Sequence, residues 1–221
     1  LILLFNKTTL ALILGSGAQK SQAQLRSISA KHLTCTAQSL GLVLAILPHI
    51  RAALLTQLPP NRSMQLTELD RVNQVILEHH SQILTKFVII LGDSIDYSAP
   101  KLNCVNWDNF NSITESSLNK RTTVDYFEDV NKNVTALHRV LLLDAMLPVD
   151  QVQDIFSRIF SLLLRKLPSH FEDILPNTVT GKQRILDELT HLTSSFSLLK
   201  SIDSSNEMNQ LEEVFKRKYS D

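Results

Sequence analysis

LILGSGAQKSQAQLRSISAKHLTCTAQSLGLVLAILPHIR, residues 12–51, is the stretch on which the fold turns. A Gly15-Ser16-Gly17 turn breaks an apolar helix, and a long helix follows in which Leu33, Ala37, Leu40, Leu44 and Leu47 recur at helical spacing. The stretch has no acidic side chain, and the first acid in the chain is Glu68. Nothing in it is arranged for chemistry. Its residues suit a helix that packs and a surface that meets a partner. The uncharged run 33–50 is long enough to raise the question of a membrane span. Its Thr34, Thr36, Gln38, Ser39, Pro48 and His49 favour one face, so it reads as a buried helix instead. Cys35, among Thr and Ala, reads as packed. Pro48 predicts a kink or an early end.

Outward from this stretch the apolar spacing stays helical. Leu69, Val72, Ile76, Ile83, Phe87 and Ile90 form a second stripe. Val152, Ile155, Ile159 and Leu162 form a third, broadened by Phe156, Phe160 and Leu163, which predicts burial on more than one side. Ile185, Leu189, Leu192, Phe196 and Leu199 follow, and Met208, Leu211, Phe215 and Tyr219 close the chain. No period-two run of a strand is present. Pro59-Pro60 ends the helix of the opening stretch, and Pro148 starts one, with Asp150 in its first turn. Residues 168–181 read as a loop. Residues 96–123, with Pro100, five Asn and the only Trp, read as a long loop with a helical turn near Trp107.

The expectation is an all-α fold: one elongated antiparallel bundle of six or seven helices over residues 1–221, interrupted at about 96–123. Five Gly and seven Pro in 221 residues leave few turns, which fits long helices. The length suffices for a core without disulfides, and two cysteines make no framework. A reduced compartment follows. The opening on Leu1, within what reads as a helix interior, is expected of a piece of a longer protein, and the first residues lack a signal-peptide pattern.

Net charge is zero but unevenly spread: residues 1–67 hold six Lys/Arg and no acid, and the remainder holds 16 against 22. Either the two parts attract each other within one fold, or a basic face meets anionic lipid or an acidic partner helix. Lys20, Arg26, Lys31, Arg51 and Arg62 are the candidate contacts for a partner or membrane. The cations are too sparse, and too little mixed with aromatics, for a nucleic-acid surface.

Catalytic and cofactor motifs fail one by one. Gly15-Ser16-Gly17 lacks the third Gly, the preceding strand and the downstream acid of a dinucleotide loop. Adjacent His79 and His80 cannot share a metal from one helix, and their neighbours four residues away are Val75, Ile76, Ile83 and Leu84. No Gly-x-Ser-x-Gly or His-Glu-x-x-His occurs, and no base is placed for Cys104. The reading is no enzyme, no cofactor and no metal.

The runs LILGSGA (12–18), LRSISAKHL (25–33), TAQSL (36–40), ILPHIR (46–51) and LPP (58–60) resemble the C-terminal region of the vacuolar protein sorting protein fifty-four family. Weaker likeness continues at 78–83, 135–159 and 187–202, and lapses over about 96–130 and 168–182. The resemblance implies a helical rod of the multisubunit tethering type and a subunit of a GARP complex that captures endosome-derived carriers at the trans-Golgi network. It implies other complex subunits, an endosomal or vesicle membrane component and SNARE proteins as partners, and the cytosolic face of Golgi and endosomal membranes as location. Two other roles fit the residues: a scaffold that only stabilises its own subunit, and a peripheral membrane binder.

Overall fold

The helical periodicities are realised as six α-helices in the computed structural model, which describes residues 30–59, 66–108, 124–144 and 147–219. They are α1 (Ala30–Gln57), α2 (Leu66–Ser98), α3 (Asp125–Arg139), α4 (Val149–His170), α5 (Val179–Ser197) and α6 (Ser205–Tyr219). A 3-10 helix (Ala99–Cys104) follows α2, and a π-helical turn (Val140–Asp144) continues α3. No strand occurs among the described residues, so the fold class is all-α as read.

The contacts divide the chain into two compact units, where the sequence reads as one domain. The first takes the chain up to Phe87 together with Val140–Leu147, and the second takes Val88–Arg139 and everything from Pro148. The helix α2 therefore contributes its first two thirds to one unit and its last third to the other.

In the first unit α1 and α2 run antiparallel. The Arg51 guanidinium grips Asp70 with two bonds of 2.6 and 3.1 Å near one end. His80 meets Ala37 and Gly41 near the other. Leu33, Ala37, Leu40 and Leu47 of α1 and Val72, Ile76, Ile83 and Phe87 of α2 are buried. The sequence stripe on α2 drifts by one residue: Ile90 is exposed, and Leu91 and Ile95 carry the core onward, as the 3.6-residue period requires.

His79 and His80 are buried in this seam, as expected of packing histidines. Burial holds both rings below the ordinary imidazole range, aided for His79 by the charge of His80 and opposed for His80 by the Ala37 carbonyl. The sign of the linkage follows. Above about pH 6.5 both states are neutral and nothing is lost. Below it the unfolded chain takes up protons that the fold refuses, so stability falls by at most about 1.4 kcal/mol per pH unit for each ring. Urea unfolding between neutral and mildly acid pH checks this: replacing both histidines with Gln flattens the acid slope, and an unchanged slope would place its origin elsewhere.

In the second unit α4 is the central element. Val152, Ile155, Phe156, Ile159, Phe160, Leu163 and Leu167 are fully covered and form one broad face, while Asp154, Arg158, Ser161 and Arg165 opposite are exposed, so the broadened stripe gives one wide buried face rather than burial on more than one side. Ile185, Leu189, Leu192 and Phe196 of α5 and Met208, Leu211, Phe215 and Tyr219 of α6 close over it. Phe171, just past α4, lies 5.2–6.0 Å from the rings of Trp107, Tyr126, Phe127 and Phe215.

Four further sequence expectations are corrected. Residues 96–104 are not loop: α2 continues to Ser98 because Ile95 is buried, and the 3-10 helix carries Pro100 near its start and buries Leu102, whereas residues 105–108, with Trp107, are irregular as read. Residues 109–123 lie outside the described residues. The break at 168–181 shrinks to 171–178, since α4 passes through Pro168 to His170, whose ring is held on both sides. The helix α1 passes through Pro48, which is exposed, so water can replace the backbone bond that proline removes. Cys35 is exposed rather than packed.

Candidate partner-binding surface

Another correction concerns α1 itself. A buried helix was expected, yet only one stripe of α1 is covered. Leu42, Ile46, Ile50 and Leu54 recur at four-residue spacing and are exposed, with Leu55 beside them. Leu42 is 62% exposed and Leu55 47%. Ala45, Ala52 and Ala53 are exposed too, and leave room for a second backbone to approach. Contiguous apolar surface of this kind marks an interaction site, whereas single exposed apolar residues are unremarkable.

The charge pattern sharpens the surface. From residue 33 to residue 57 the only charged side chain is Arg51. Arg51 is not available as a bare cation. Its hydrogen bond to Asp70 raises its pKa and lowers that of Asp70, so the pair stays ionised. The exposed face is therefore apolar and electrically neutral along its length. Lys31 stands in the first turn of α1. Lys20, Arg26 and Arg62 lie outside the described residues, as does the Gly15-Ser16-Gly17 turn. The five predicted contacts are thus not brought together as a described cluster.

Sequence reasoning missed the exposed face because α1 is apolar nearly all round. A buried helix and a half-covered one then read alike. The span 33–57 is also the one helix among the described residues long and apolar enough to cross a membrane, with a mean hydropathy of 1.7 in its most apolar window and only 11% of that window buried.

One constellation in the second unit has the order of a catalytic relay. The Tyr126 hydroxyl meets His170 Nδ1 at 2.8 Å, His170 Nε2 meets Asp96 Oδ1 at 3.0 Å, and Lys166 pairs with the other Asp96 oxygen. The Tyr126 ring is fully buried, and burial raises its phenol pKa strongly, so the hydroxyl is neither exposed nor readily ionised. A nucleophile must reach its substrate, and this one is sealed. The network ties α2, α3 and α4 together. Among the described residues no group of His, Cys, Asp and Glu is placed to hold a metal.

Comparison with known proteins agrees with the resemblance carried by the opening stretch. Residues 1–94 match the family model described as Vps54-like protein. Vacuolar protein sorting-associated protein 54, chloroplastic, of Arabidopsis thaliana is 28% identical over 206 residues, 91% of this chain. The chain spans 19% of that relative's length. No solved structure matches the chain.

Proposed function

We propose that this chain is a member of the Vps54-like family, whose model matches residues 1–94, and that it is the helical part of a vesicle-tethering subunit, acting by contact and not by catalysis. The observation that carries the reading is the neutral, apolar outer face of α1, within the matched residues. Side chains at four-residue spacing are what a second helix packs against. Its occupant in this reading is a helical segment of a partner in the tether or on the carrier membrane. Lys20, Arg26, Lys31 and Arg62 stand before and after the face in sequence, and acidic flanks on that segment would match them. The finer reading is a GARP-like complex working in retrograde transport from endosomes to the trans-Golgi network, with peripheral attachment to the cytosolic side and SNARE proteins among its partners. The relative's printed name gives a different compartment, chloroplastic, so the position of the tagged full-length protein decides between the two.

The test is recruitment to the organelle by the full-length subunit carrying Leu42→Ser, Ile46→Ser and Ile50→Ser. These side chains are already exposed, so the fold and the subunit's level stay near wild type. Recruitment falls several-fold in this reading. Normal recruitment with a lowered subunit level would favour a scaffold role instead. The hydropathy of α1 favours a second reading, a membrane span. Alkaline carbonate releases the protein if it is peripheral, and leaves it in the membrane pellet if α1 spans.

A further inference from the structure

In the second unit a groove of about 360 Å3 opens between Val88 of α2 and the outer face of α4, lined there by Ser157, Arg158, Ser161, Leu162 and Arg165. One turn further along α2 the helices close: a Cβ on Gly92 would lie 3.2 Å from Leu162 Cδ1 and 3.5 Å from Lys166 Cε. Lys166 is then tied to Asp96. The groove is thus bounded at one end by a tight helix contact.

Its chemistry is specific. Val88 and Leu162 give an apolar floor. Ser157 and Ser161, one turn apart on α4, keep the wall low. Arg158 and Arg165 are seven residues apart on the same side of α4, about 10.5 Å along the axis. Arg165 is exposed and makes no ion pair among the described residues. Arg158 pairs with Asp154 at 2.8 Å, and both groups stay close to half exposed. Such a pair within one helix is weak enough to be exchanged for a better-placed carboxylate.

We infer that this groove seats an acidic amphipathic helix of a partner protein, with carboxylates seven residues apart on Arg158 and Arg165 and apolar side chains between them on Val88 and Leu162. The repeat of the two arginines equals two turns of a helix laid alongside α4, so a helical partner presents acids at the same repeat. Two arginines beside a concave apolar floor suit a peptide better than a lipid surface, which is held by larger clusters of cations. The inference rests on α2 and α4 alone and stands apart from the outer face of α1.

The test uses the whole 221-residue chain and a synthetic helical peptide with Glu residues seven apart and Leu three and four residues after the first. Fluorescence anisotropy should show binding that weakens as salt rises. Arg158→Glu with Arg165→Glu should weaken it by about tenfold or more, and a peptide with Lys in place of Glu should restore binding to that variant. Ser161→Trp, which fills the groove without changing charge, should also block the peptide. Thermal melts should show both variants folded. Failure of the peptide to bind the wild type overturns the inference, and so does equal binding to wild type and either variant. Arginine-dependent capture of phosphatidylserine vesicles without peptide binding also overturns it.

Discussion

Replacing Phe171 with Ala lowers the unfolding free energy by about 3–5 kcal/mol. Phe171 sits just past α4 with no exposed surface, and four aromatic rings close around it at centroid distances of 5.2–6.0 Å. Those rings come from the segment after the 3-10 helix, from α3 and from α6, so the side chain joins three parts of the second unit. Its carbonyl also accepts from Lys218 Nζ at 2.6 Å. Truncation leaves a cavity between rings that cannot all move inward, and the lost contacts add to the transfer term. The loss is a large part of the stability of an ordinary domain. Trp107, the single Trp, touches Phe171, so its fluorescence reports the change during urea unfolding. Phe171→Leu should cost less. A loss below about 1 kcal/mol for Phe171→Ala would show that the ring cluster is not the hub described.

Gly181→Ala destabilises, by about 1–3 kcal/mol, where the same change in an ordinary helix stabilises by up to about 1 kcal/mol. Gly181 lies in the first turn of α5, and its N–H donates to Thr178 Oγ1 at 3.0 Å. A Cβ there would stand 2.8 Å from Asp108 Oδ1 and 3.0 Å from the Trp107 carbonyl, and neither is the free end of a flexible side chain. Asp108 is fixed because it accepts from the Thr178 hydroxyl at 2.7 Å and from the Thr178 and Asn177 backbone N–H groups at 2.8 and 3.1 Å. These bonds, the Thr178 hydroxyl first, hold its carboxyl below the usual range. The overpacking therefore breaks the start of α5 as well as the contact. Gly41 is the internal comparison: among the described residues a Cβ there meets only His80 Nε2, at 3.9 Å. Gly41→Ala should accordingly stabilise, by up to about 1 kcal/mol. Thermal melts of the two variants should move in opposite directions, and a shift of the same sign in both would contradict this account.

The helices were legible because their apolar residues repeat at 3.6, and every stripe from Val152 onward appears where the spacing puts it, with Leu162 and Leu199 only half-buried. The early end expected at Pro48 and the loop expected from Pro168 did not form, because a proline signal reports a lost bond and not whether the helix continues regardless. The length of α2 was misread for a related reason. Residues from Asp96 onward look like a loop, but Ser94, Asp96 and Ser98 are engaged by Asn133, His170 and Asp129. Those partners come from α3 and α4, far along the chain, and no local pattern announces them. The exposed face of α1 was not legible in its character. Residues 20–62 were marked out by their lack of acids, and α1 lies within them. Arg51, however, is claimed by Asp70, and the exposed feature is apolar. A uniformly apolar helix hides which side is covered. The groove on α4 escaped notice because Arg158 and Arg165 read as ordinary solvated positions until Val88 is placed beside them.

The most direct test of the central claim, that a partner covers the outer face of α1, is maleimide labelling of full-length protein in which the native cysteines, Cys35 and Cys104 among them, are replaced by Ser. Ile50→Cys reports the face, and Val179→Cys, at a position 83% exposed in the second unit, is the control. The account predicts that Ile50→Cys labels fast in the soluble pool and several-fold more slowly in the membrane-bound pool, while the control labels equally in both. Equal labelling of Ile50→Cys in the two pools would contradict it.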